Sequence, residues 1–309
     1  MKQIWGIILF VSFSFISMSN SFAIHSRAGT TGLAFLKIGV GARISGMGEA
    51  SLAVVNDASA NFWNPARLTR IEGYSLVLMH NHWIQDINHE YLSLAIPFSK
   101  GKRTFSLALT EVTVSGLEFR EDQPTAEPKG KFNTYDLSLS GSLAQSLGKD
   151  ISFGVTFKYL YEKIYLNDTQ GWSFDLGTSI IPGYKNLELA GVVQNIGPDM
   201  KFERRDFRLP TTFKFGGSYS IDSPHLRGQF LLASDFVKPI DNFWHLNLGT
   251  EYNYQKRYFL RVGHKLGHDS EGFTAGVGYK MKSYLFDYAF VPHRLNLGTS
   301  HRFSLGLKF

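Results

Sequence analysis

Thr299-Ser300-His301-Arg302-Phe303-Ser304-Leu305-Gly306-Leu307-Lys308-Phe309 alternates apolar and polar side chains along its length. Phe303, Leu305, Leu307 and Phe309 share one face of an extended chain, and Arg302, Ser304, Gly306 and Lys308 the other, because successive side chains of a strand point to opposite sides. The pattern recurs upstream. Tyr135, Leu137 and Leu139 alternate with Asp136, Ser138 and Ser140, and Leu246 and Leu248 alternate with Asn247, Gly249 and Glu251. Such runs, bounded by turn residues, give fourteen candidate strands between Tyr74 and Phe309. Most are near the roughly 9 to 11 residues that cross a bilayer at barrel tilt. A soluble sandwich alternates too. The high strand count, the connection lengths and the terminal Phe309 favour an all-β, transmembrane antiparallel β-barrel with apolar faces to lipid and polar faces to the lumen.

The connections carry their own information, since bacterial barrels join an even number of strands by short periplasmic turns and longer external loops. The third connection (114–131, with Pro124, Pro128 and Gly130), the seventh (197–210) and the thirteenth (292–298) are long. Even-numbered ones such as Gly148-Lys149-Asp150, Gln255-Lys256-Arg257 and Lys282-Ser283 are tight. Leu117, Phe119, Met200, Phe202 and Phe207 make two of the long external connections unusually apolar. They read either as a docking surface for a partner or ligand, or as loop-on-loop packing over the barrel mouth.

The chain opens with Lys2, an apolar run from Ile4 to Met18, and Ser21-Phe22-Ala23. This is the pattern of a Sec signal peptide over residues 1–23, cleaved after Ala23. The domain reading is completed by a small-residue hatch or plug over 24–71 and a barrel over 72–309. No later apolar run has helical spanning length, so insertion must use strands. The absence of cysteine excludes disulfides, thiolate metal sites and a cysteine nucleophile. The net charge of +6 is spread along the sequence rather than gathered in a block, which gives no nucleic-acid signature.

Gly39-Val40-Gly41-Ala42-Arg43-Ile44-Ser45-Gly46-Met47-Gly48 lacks the spacing of a phosphate-binding loop, and no βαβ unit follows it. It reads as close packing of plug backbone against the wall. Residues 47–60 allow a short helix, with Asp57 and Ser59 placed to cap a second turn before Trp63. His80 and His82 share one strand face but have no third metal ligand beside them, so the metal reading is set aside. Asp136, Asp175, Glu251, Arg261, Asp287 and Arg302 read as a solvated, mutually compensating lumen network, and Asp235 has no clear face. No catalytic spacing is present, so neither an enzyme nor a cofactor is expected.

Gly41-Ala42-Arg43, Gly46-Met47-Gly48-Glu49-Ala50 and the run Asn56-Asp57-Ala58-Ser59-Ala60-Asn61-Phe62-Trp63-Asn64-Pro65-Ala66 resemble the N-terminal signature of PorV/PorQ-like outer-membrane proteins. These are relatives of the FadL fatty-acid transporter. The likeness continues through Phe286-Asp287-Tyr288-Ala289-Phe290 and the final strand. It implies a fourteen-stranded barrel in the outer membrane of a Gram-negative bacterium, with a hatch motif at Asp57, Trp63, Asn64, Pro65 and Ala66. One departure is Arg67, at the position where the family usually has glycine. The resemblance implies an accessory of protein secretion, whose external loops hold secreted clients or translocon subunits. The alternative is a FadL-like passive transporter of hydrophobic small molecules.

Overall fold

The computed structural model describes residues 25–120 and 127–309. The expected signal peptide and its cleavage point lie outside them. The strands are β1 (Ser75–His82), β2 (Asn88–Phe98), β3 (Arg103–Phe119), β4 (Gly130–Leu147), β5 (Ile151–Ile164), β6 (Asn167–Ile180), β7 (Leu187–Ile196), β8 (Met200–Phe202) and β9 (Arg205–Phe207). They continue with β10 (Thr212–Ser223), β11 (Gly228–Pro239), β12 (His245–Tyr254), β13 (Tyr258–Leu266), β14 (Phe273–Met281), β15 (Tyr284–Pro292) and β16 (Thr299–Lys308). All but β8 and β9 form one closed antiparallel barrel of fourteen strands, in which β1 pairs with both β2 and β16. Gly73, at φ 74°, turns the chain into the wall, and Tyr74 and Phe309 exchange backbone hydrogen bonds of 2.7 and 3.2 Å beyond the ends of the two seam strands.

Closure lets every wall backbone group pair, which a lipid-exposed sheet requires. Leu139, Leu143, Phe153, Phe157, Leu176, Phe215, Leu260 and Phe303 point outward and are exposed. Between them, Ser106, Ser140, Ser142, Ser173 and Ser179 point inward and are buried. The burial of these small lumen residues comes from residues 33–71, which fill the interior. Val40, Ala42, Met47, Ala50, Val55, Ala58, Ala60 and Leu68 all have 0 % exposure.

Three local expectations need correction. Leu117 and Phe119 lie in β3 rather than in a loop, because β3 and β4 run on together past the expected boundary. Gly116, inside the stretch expected to be a loop, takes φ 74° at a register shift between Val114 and Leu117. Glycine inside a strand pattern here marks a bulge that lets pairing continue. In the seventh connection, Met200, Phe202 and Phe207 belong to the β8–β9 hairpin. Helix in the hatch occupies Ala42–Gly46 and Ala60–Trp63, not the 47–60 stretch. Gly48 and Glu49 take φ 62° and 61°, and this left-handed pair ends the first helix.

Candidate functional site

The candidate site is the interior filling and the mouth above it. Gly46 packs so closely on Gly276 that a Cβ on either would meet the other's backbone. A Cβ on Gly249 would meet Met47, and one on Gly263 would meet the Met47–Gly48 backbone. The glycine-rich hatch run is therefore matched by wall glycines, and two backbones touch where side chains would hold them apart. On the far side, Gly154 and Gly177 leave room for Pro65-Ala66 and for Asn64. Asn64 Nδ2 donates to Leu52 O at 3.2 Å and Thr178 O at 3.1 Å, and its Oδ1 accepts from Ala66 N at 3.1 Å. The Asn-Pro-Ala motif thus ties two parts of the hatch to β6. Asp57 accepts from the Ser59 amide at 2.9 Å just before the Ala60–Trp63 helix. Trp63 is buried and donates from Nε1 to Val40 O at 3.0 Å.

Charge clamps the same unit to the wall. Arg43 donates from Nε and Nη2 to both carboxylate oxygens of Glu251, at 2.9 and 3.0 Å. Arg261 bridges Glu251 at 2.6 Å and Asp287 at 2.7 Å. Arg302 Nη1 donates to Gly39 O at 2.9 Å and Ser45 Oγ at 2.5 Å. Lys265 pairs with Glu49 at 2.8 Å and also with Glu271. Burial pushes the Glu49 carboxyl up, but the Lys265 ammonium and Arg302 guanidinium outweigh that and hold it below its ordinary value. Asp235, whose face the sequence left open, points inward and accepts the Ser51 and Leu52 amides at 2.6 and 2.9 Å. The expected solvated network is thus a buried one that holds hatch against wall, with Arg302 1 % exposed. Asp175 is buried and pairs with Lys158 at 2.7 Å, whereas Asp136 joins none of these pairs.

Arg67 is buried in the turn Pro65–Arg70 with ordinary backbone. Its guanidinium donates to Val55 O at 3.1 Å, to Ser179 Oγ at 3.4 Å and to Glu188. Where glycine would leave space, this chain adds a further hatch–wall tie. His80 and His82 face outward, His80 lying 2.5 Å from Glu90.

The mouth carries a feature that the sequence reading missed. Residues 25–38 run across it beneath the external connections. His25 packs edge-on to Phe243, Gly32 N donates to Arg208 O at 3.0 Å, and Thr31 and Lys37 both reach Asp241, at 2.6 and 2.5 Å. Leu33, Phe35, Leu36 and Ile38 bury themselves against Val112, Leu160, Met200 and Leu209, with Phe207 packed beside them. The overlooked signal was the apolar run Leu33-Ala34-Phe35-Leu36 inside an otherwise small-residue hatch. The five apolar residues singled out from the external connections do not form one surface. Met200 and Phe207 seal the mouth, Phe202 pairs with Arg205 in the hairpin, and Phe119 stacks on Tyr165 at 5.5 Å, away from it, as Leu117 pairs with Phe132.

On the opposite side of the hatch a polar cavity of about 370 Å³ is lined by Arg43, Asp57, Glu188, Glu251, Lys280 and Lys308 among others. An apolar groove of about 780 Å³ lies on the outer wall across β1–β3 and β14–β16, lined by Leu78, Leu92, Val277, Phe286, Phe303 and Leu305 with the His80–Glu90 pair.

Residues 21–223 match the family described as type IX secretion system protein PorV. The chain belongs to the PorV family. No curated protein matches it in sequence. Among solved structures this PorV-family barrel is similar to the toluene transporter TbuX of Ralstonia pickettii, at 13% identity and a TM-score of 0.62, over 88% of this chain and 98% of that one. It is also similar to a deltaS2S3 mutant of TodX, a monoaromatic hydrocarbon channel, at 12% identity and a TM-score of 0.61, over 88% and 99% of the two chains. At such identities the likeness is one of fold. Family and fold together make the PorV-family chain an outer-membrane barrel.

Proposed function

We propose that this barrel is an accessory of protein secretion that works through its external face, where it holds a secreted client or a translocon subunit. The observation that carries the reading is the filled interior. The hatch is tied to the wall around the lumen by glycine contacts and buried ion pairs, and the 33–38 strap seals the mouth beneath the β8–β9 hairpin. A barrel so closed offers partners its rims and outer wall, and membership of the PorV family supports the secretion branch. The test is affinity purification of the tagged full-length chain from solubilised outer membrane, beside a variant with residues 200–207 replaced by a short Gly-Ser turn. The full chain is expected to bring down translocon subunits or secreted proteins and the variant to lose them. Repeated recovery of the full chain alone would overturn the reading.

A second reading, passive transport of hydrophobic small molecules, is favoured by the apolar wall groove and by the fold of TbuX and TodX, which are named for such transport. It requires the strap to leave the mouth. A deletion strain that takes up hydrophobic substrates at the normal rate would count against it.

A further inference from the structure

The fold brings to one rim a set of basic residues that lie far apart in the sequence. Six turns join the strands at the end where β1 begins: 99–102, 148–150, 181–186, 224–227, 255–257 and 282–283. Each carries a lysine or arginine, represented by Lys100, Lys149, Lys185, Arg227, Lys256 and Lys282, and all six are exposed. None of the six takes part in an ion pair among the described residues, and the six turns together contain a single carboxylate, Asp150. The other rim differs: acids and bases mix there and several pair, as Arg120 does with Glu118 and Lys37 with Asp241.

Turn chemistry does not account for the choice. Lys100, Arg227, Lys256 and Lys282 sit at φ 58°, 52°, 55° and 54°. That is the left-handed region, which glycine and asparagine enter more readily than long side chains do. Cations stand there in spite of the local preference. Their neighbours on the outer wall are Phe98, Leu147, Ile151, Tyr258, Met281 and Tyr284, all exposed apolar or aromatic residues of the lipid-facing band. Side chains rooted at the edge of that band extend to the depth of lipid headgroups.

We infer that this rim binds the headgroups of anionic phospholipids in the periplasmic leaflet. Short turns place it on the periplasmic side, and cations at that level attract anionic lipid additively. The distribution favours lipid over an acidic protein, because every turn around the circumference is charged, whereas a protein partner needs one sector only.

The test uses the full-length barrel purified in mixed micelles of equimolar phosphatidylglycerol and phosphatidylethanolamine, with bound lipid counted by native mass spectrometry. Phosphatidylglycerol is expected to be retained over phosphatidylethanolamine by about fivefold at low salt, falling towards parity as salt screens the rim. A variant with the five lysines and Arg227 changed to Gln should lose the preference, and a Lys→Arg variant should keep it. Parity in the unaltered protein at low salt, or an undiminished preference in the Gln variant, overturns the inference. So does parity accompanied by crosslinks from these turns to an acidic periplasmic protein. If the Gln variant does not fold, the salt titration of the unaltered protein decides alone, and a preference that salt leaves unchanged sinks the idea.

Discussion

Arg67 shows how one side chain can replace an expected backbone feature. Glycine at this position would provide conformational freedom, but the Pro65–Arg70 turn does not use it, since Arg67 is absent from the left-handed residues. Its guanidinium reaches across to Val55, Ser179 and Glu188 instead. Breaking a fully buried pair costs about 3–5 kcal/mol, but Glu188 keeps 31% of its side chain exposed, so solvent reduces the loss. Arg67→Ala is expected to lower stability by about 1–3 kcal/mol, read as a lower urea midpoint for the loss of heat-modifiable gel mobility. Arg67→Lys should recover only part of it, because an ammonium cannot serve three acceptors from one plane. The sequence located Arg67 as the departure from its relatives' pattern, but its partners lie 12 to 121 residues away, and no local pattern reports such pairings. The inward turn of Asp235 was hidden for the same reason.

At the scale of elements, local alternation was enough to find the wall strands, because period-2 patterning is imposed wherever one face meets lipid and the other the interior. It failed where a bulge carried β3 past Gly116, since one extra residue inverts the pattern. It also gave no view of the strap, whose role is set by loops far along the chain. The strap is held at Asp241, whose carboxyl burial alone would raise but which Lys37 and Thr31 hold below its ordinary value of 3.8. A depressed carboxylate contributes stability that is present above its unfolded-state value and lost as pH falls through the lower folded-state one. Hydrogen exchange of residues 33–38 should therefore stay slow at neutral pH and quicken only in acid below that ordinary value, whereas Asp241→Asn should quicken it at neutral pH. Equal protection in the two proteins at neutral pH would remove Asp241 from the strap's support. The wall glycines make a complementary prediction. A methyl group on Gly263 has only the Met47–Gly48 backbone to displace, and overpacking of this kind costs about 1–3 kcal/mol. Gly263→Ala is expected to leave the barrel heat-modifiable but render residues 39–71 sensitive to protease, while Gly141→Ala, where a Cβ meets only a flexible Leu107 methyl, should leave them resistant.

For the whole molecule, the sequence revealed the container more fully than its contents. Strand number, membrane faces and family were all legible, because each leaves a repeated or contiguous trace. Glu251, Arg261 and Asp287 could be grouped in one lumen network from the sequence, but the tie of that network to Arg43 of the hatch and the charged rim became visible only once the sheet was closed. The seam between β1 and β16 has a further consequence. It pairs the strand that directly follows the hatch with the final strand, so the wall has no closure without the end of the chain. The hatch, which precedes β1 in the chain, is held in a space that only the first and last strands together close. Enclosure is therefore a property of the complete chain: the Gly249, Gly263 and Gly276 seats lie on late strands, and only the β1–β16 seam joins that part of the wall to the strand that follows the hatch.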